Sequence, residues 1–91
     1  MGLPEAMRLQ GTCQWLRSRY RAAERWWRQG LSFAVRNGIG YDEAMIHLEM
    51  GCRLGEREHL ERAAALFEEM GSERNLARAR QALADFAVQR T

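Results

Sequence analysis

Lysine is absent from this chain of 91 residues: all fourteen basic residues are arginines. Proline occurs once, the β-branched residues Val, Ile and Thr are few, and there are two cysteines, Cys13 and Cys52, with no C-x-x-C pair. Each shortage excludes something. With so few β-branched residues, a fold built mainly of strands is ruled out. With one proline, little interrupts a helix. A structural zinc site needs four closely spaced ligands, so no metal is expected, and the two cysteines are expected to be reduced, semi-buried thiols. No apolar run approaches the ~18–20 residues that span a bilayer, and the N-terminus has no signal-peptide core. No membrane contact is expected, and cytoplasmic residence is the default.

What is present points to helices. Apolar residues make up 46% of the chain and charged residues 29%, a globular rather than a disordered balance. Ala, Leu, Arg and Glu dominate, and all four favour helix. The length suits one domain, and a chain this short buries only about 60–65% of the surface its unfolded form exposes, so a partner adds useful stability. Gly and Asn punctuate the sequence where helices should stop. Five helices are expected, over about Pro4–Arg17, Tyr20–Arg36, Tyr41–Leu54, Arg57–Met70 and Glu73–Gln89. Pro4 suits a first helical turn, where its missing N–H is not needed. Ser72 is a cap candidate for the last helix.

The helical period is clearest around the second helix. At 100° per residue, Leu16, Tyr20, Ala23, Trp27, Leu31 and Ala34 share one face. Trp15, Ala22, Trp26 and Phe33 form an adjacent strip, and Arg17, Arg21, Arg25 and Arg28 lie opposite. The apolar arc is wider than that of an ordinary surface helix, so this helix should touch neighbours on two sides. Trp26 and Trp27 point about 100° apart; Trp27 suits the core, which leaves Trp26, Phe33 and Trp15 as a candidate interface strip.

A weak internal repeat appears at an offset of forty. Gly11, Tyr20, Ala23 and Trp27 match Gly51, Leu60, Ala63 and Phe67. Each copy runs small residue, bulky residue, alanine, aromatic. The small residue lets two helix backbones approach, and the aromatic fills the gap beside them. These positions resemble those of the tetratricopeptide repeat. The stretch His59–Leu83 resembles the last repeat and closing helix of arrays attached to bacterial signalling ATPases, cyclases and transcriptional regulators. The first-helix tryptophan and the repeat-ending proline of that family are missing, and the offset exceeds the family's usual thirty-four, so the second helix or the linker after it must be longer. The resemblance implies an all-α stack of antiparallel helical hairpins: a single domain with repeat one at about 4–40, repeat two at about 44–72 and a capping helix at about 73–89.

Signatures of catalysis are missing: no G-x-S-x-G, no glycine-rich phosphate loop, no H-E-x-x-H. A dyad of Cys52 with His47 or His59 lacks an oxyanion site, and the single E-x-x-H at Glu56–His59 reads as exposed first-turn charge. No enzyme activity and no cofactor are expected. Charge is unevenly spread: residues 1–40 hold seven arginines against two acids, and residues 41–91 hold seven against ten. For the arginines Arg17, Arg21, Arg25 and Arg28, three uses stay open: a solvated face, an acidic partner, or nucleic-acid phosphates. The leading expectation is a protein-interaction module, an adaptor or a homo-oligomer, whose partner-binding residues are Trp15, Arg17, Arg21, Arg25, Trp26, Arg28 and Phe33. Nucleic-acid or acidic-ligand binding through the arginines of the second helix is the runner-up. A terminal portion of a larger regulatory protein is a third reading.

Overall fold

A computed structural model describes residues 3–90, and among these residues it contains five α-helices and no strand. They are α1 (Leu3–Leu16), α2 (Tyr20–Arg36), α3 (Gly40–Leu54), α4 (Arg57–Met70) and α5 (Glu73–Arg90). Each helix packs on the next in the chain, and α1 also touches α3. The architecture is all-α, a stack of antiparallel helical hairpins. No helix among the described residues is long and apolar enough to cross a membrane.

All four turns close in the same way. In each, a backbone N–H just past the helix reaches five residues back to a carbonyl: Arg19 to Gln14, Ile39 to Ala34, Glu56 to Gly51 and Ser72 to Phe67, at 2.9–3.2 Å. This closure requires one residue in the left-handed region. Gly38, Gly55 and Gly71 supply it at three turns, with φ of 66–69°, and Ser18 supplies it at the first, with φ 62°. An L side chain there costs about 1–2 kcal/mol, partly offset because glycine loses more freedom on folding. Ser18→Gly is therefore expected to stabilise the chain by about 0.5–1 kcal/mol, read as a higher urea midpoint at unchanged slope. A lower midpoint would show that the serine side chain contributes something a glycine lacks.

Two apolar clusters make the core, and α3 belongs to both. Ala23 and Trp27 of α2 pack with Ile46 and Met50 of α3, flanked by Trp15, Leu31 and Leu54. Ala44 and Leu48 of α3 pack with Leu60, Ala63, Leu66 and Phe67 of α4 and Ala79 of α5. The arrangement follows from helical geometry. Ile46 lies two residues beyond Ala44, and Met50 two beyond Leu48, which is 200° around the helix, so α3 shows apolar groups on two nearly opposite flanks.

Small residues set the closest helix approaches. A Cβ on Gly11 would run into the Trp27 indole, and one on Gly51 would lie 2.6 Å from the Leu60 side chain and 3.0 Å from its backbone nitrogen. Trp27 also donates its Nε1–H to the Arg8 carbonyl at 3.1 Å, which satisfies the indole in the core. The two hairpins are not in identical register. Their turn residues Ser18 and Gly55 are 37 positions apart, whereas the sequence match is offset by forty. Gly11 consequently meets an aromatic two turns from its loop, and Gly51 meets a leucine one turn from its loop. Part of the extra length of the first unit lies in α2, which has 17 residues against 14 in α4. Of the other matched positions, Ala23, Ala63 and Phe67 are buried, and Tyr20 is 52% exposed.

Candidate interaction face

α2 presents three surfaces. Ala23, Trp27, Gly30 and Ala34 are buried, at i, i+4, i+7 and i+11, one stripe of a helix. Gly30 sits where Ile46 of α3 and Met7 and Pro4 of α1 converge. Leu31 is partly buried and packs against the cluster that α2 forms with Ile46 and Met50 of α3. Trp26 and Phe33 lie about 140–160° around the helix from Leu31, on the flank turned away from α3. Both are partly exposed, and neither belongs to a core cluster. Beside Trp26, a shallow notch of about 280 Å³ is lined by Ala22, Arg25, Trp26 and Gln29.

The chain turns at residues 17–19, and this alters the face expected from sequence. Trp15 and Leu16 end α1, as the expected helix bounds have it, but the helical period that put them and Arg17 on the faces of α2 is broken by the turn, so the arginine row is not one continuous helix stripe. Arg17 lies in the turn; Arg21, Arg25 and Arg28 remain on α2, and all four are exposed. Arg28 is paired with Glu24 at 2.6 Å, an exposed i,i+4 pair worth about 0.3–0.5 kcal/mol. Trp15 meets Tyr20 edge-on, with ring centroids 4.5 Å apart, and lies tilted against Trp27 at 5.8 Å. It packs against the first core cluster, apart from the Trp26–Phe33 strip.

The other side of the molecule is formed by alternate helices. Arg8 of α1, Met45, Leu48, Glu49 and Cys52 of α3 and Arg78 of α5 line one cleft of about 120 Å³. Thr12 of α1 donates its hydroxyl to Glu49 of α3 at 2.6 Å, and Arg53 lies 3.6 Å from the same carboxylate. The Arg8 Nε is buried there without a partner. Cys13 and Cys52 are free and exposed, not semi-buried. Though the residue is exposed overall, partial desolvation of the Cys52 thiol by its neighbours, together with the nearby Glu49, raises it above its usual range, which disfavours the reactive thiolate.

Charge on the second hairpin is largely internal. Arg80 pairs with Glu68 at 3.1 Å and Arg57 with Glu61 at 3.4 Å. Arg62 reaches across to Glu43 of α3 at 3.5 Å. His59, read from sequence as part of an exposed first turn, instead faces His47 of α3, with Nδ1 atoms 2.9 Å apart. No local pattern in the sequence marks this contact, which forms only once the α3–α4 hairpin fixes the register of the two helices. Among the described residues, no group of three or more His, Cys, Asp or Glu side chains is arranged to hold a metal ion.

No family model, no curated protein and no solved structure matches the chain.

Proposed function

We propose that the chain is a tetratricopeptide-like interaction module that binds a protein presenting carboxylates through the open flank of α2. The observation that carries this reading is that Trp26 and Phe33, on the flank of α2 opposite Leu31, are partly exposed and belong to no core cluster, beside the exposed Arg21 and Arg25. Tryptophan and arginine dominate interface energies when they become buried. A helical repeat also gains stability when its end face is covered. The acidic C-terminal half of a second copy supplies the charge complement, since residues 41–91 hold ten acids against seven arginines. Self-association is therefore the simplest form of the reading. It carries with it a cytoplasmic adaptor role without a catalytic step or a cofactor.

The test is light scattering coupled to size-exclusion chromatography, at several protein concentrations and two salt concentrations. It is run on the wild type and on Arg21→Glu/Arg25→Glu/Trp26→Ala, each also mixed with a glutamate-rich helical peptide. Association with a second copy or with the peptide is expected, weaker at high salt and reduced at least tenfold in the variant. A wild type that stays monomeric and ignores the peptide removes the reading, as does a variant that associates unchanged. A second reading rests on the same exposed arginines, namely contact with nucleic-acid phosphates. It takes over if generic RNA binds with log K falling steeply against log salt while the peptide does not bind.

A further inference from the structure

His47 on α3 and His59 on α4 stand apart from the proposed partner face. Their Nδ1 atoms are 2.9 Å apart, the ring centroids 5.1 Å apart and the planes tilted by 31°. The centroids are separated by one imidazole diameter more than the nitrogens. The rings therefore meet end-on, and each Nδ1 lone pair lies along the line to the other. The far nitrogens back onto carboxylates: His47 Nε2 is 3.8 Å from Glu43, and His59 Nε2 is 3.9 Å from Glu56. Both side chains are mostly covered, at 12% and 16% exposure.

This arrangement accepts one inter-ring proton and no more. Two bare lone pairs at this distance repel, and so do two opposed N–H groups. A single proton makes an N–H···N hydrogen bond of ordinary length. A metal ion does not fit: at about 2.0–2.1 Å from each nitrogen, an ion on their axis would need the nitrogens about 4 Å apart.

We propose that the His47–His59 pair is an acid-operated clasp between α3 and α4: one inter-ring proton holds the hairpin shut while at least one ring is neutral, and protonation of both rings, which puts an N–H on each facing Nδ1, forces them apart. The charges around it are few. Glu43 on the same helix and Arg62 on α4 face His47, and Glu56 faces His59. α1 meets α3 through Thr12 on Glu49, which is 200° around α3 from His47. α2 meets α3 through apolar groups, and Arg80 of α5 is engaged with Glu68.

The direction of the pH effect follows. Burial, aided by the positive charge of protonated His59 and of Arg62, lowers His47 from 6.5 to about 4. Between those values the unfolded chain binds more protons than the folded one, so stability falls as pH falls. Above about 6.5 the contribution of this site is fully present; it drains as pH drops towards 4.

The experiment combines imidazole NMR titration with thermal melts from pH 7.5 to 4.5, on the wild type, His47→Gln and His59→Gln. In the wild type one imidazole is expected to resist protonation to below pH 5. In His59→Gln, His47 is expected to titrate at a higher pH than in the wild type, while staying below 6.5 because burial remains the largest cause of its shift. The melting temperature of the wild type should fall more steeply on acidification than that of His47→Gln. Both wild-type imidazoles titrating independently near pH 6.5 would overturn the clasp, as would parallel melting slopes in wild type and His47→Gln. Should a variant fail to fold at pH 7.5, the wild-type NMR titration decides alone. These readouts do not depend on any binding partner, so failure here and failure of the interaction reading are distinguishable.

Discussion

Trp27→Ala is expected to remove about 3–5 kcal/mol of stability, the usual range for deleting a fully buried large aromatic. A chain of this length has roughly 5–14 kcal/mol in total at typical values per residue, so the variant should lose a large share of its stability and unfold at a markedly lower urea concentration. Three losses coincide at this position. The indole is fully buried in the first core cluster. It fills the space that Gly11 leaves open on α1. It also donates to the Arg8 carbonyl, a bond whose net worth is about 0.5–1.5 kcal/mol. Trp27→Phe keeps much of the packing and loses the hydrogen bond, so it should fall between wild type and alanine. Urea unfolding followed by circular dichroism measures both. A loss below about 1 kcal/mol for Trp27→Ala would mean that α1 and α2 do not depend on this contact.

The second large effect is expected at Gly51. Gly51→Val places its first carbon against the Leu60 side chain and 3.0 Å from the Leu60 backbone nitrogen. The side chain can move; the backbone cannot move without separating α3 from α4. Overpacking of this kind costs about 1–3 kcal/mol, occasionally more, and the backbone clash puts this case at the upper end. Adding Leu60→Ala should relieve the side-chain part of the clash while opening a cavity of its own, so the pair should be non-additive without returning to wild type. Gly40→Ala is the control. Its nearest neighbour would be the Met70 sulfur at 3.7 Å, ordinary contact, and it should fold normally. Equal losses at Gly40 and Gly51 would refute close approach as the reason for glycine at 51.

Much of the architecture was legible in the sequence because helix ends are encoded locally. Asn37–Gly38, Gly55 and Gly71 each stop a helix by accepting a conformation that most residues avoid, and helix ends read from them fall within one residue of those observed. The first turn has no such marker. Ser18 occupies the left-handed position there, and a helical period extended through it placed Trp15 and Leu16 on the face of α2. The burial of Trp27 followed from periodicity, since Ala23, Trp27, Leu31 and Ala34 share one face of the helix; the buried stripe takes Gly30 rather than Leu31. The role of Trp15 did not, because it depends on the angle between two helices, which no local pattern specifies. The His47–His59 contact was invisible for a related reason. Each histidine alone looks like a surface group, and the pair exists only once the α3–α4 hairpin has fixed its register. The repeat at an offset of forty caught the small-residue rule at Gly11 and Gly51, but the partners of the two glycines depend on how far each lies from its turn.

The double-sided α3 has a consequence for cooperativity. The two apolar clusters share no residue, and α3 alone of the five helices contributes buried groups to both. Free energy passes between the halves chiefly through this one rod, so the chain behaves as two coupled folding units with a common member. Fraying α1 and α2 leaves α3 with its second cluster intact, and fraying α5 leaves the first intact. Loss of α3 dissolves both at once. Amide exchange should therefore be slowest in the middle of the chain and grade outward towards each end, and the sharpness of the global transition is set by the interior of a single fifteen-residue helix.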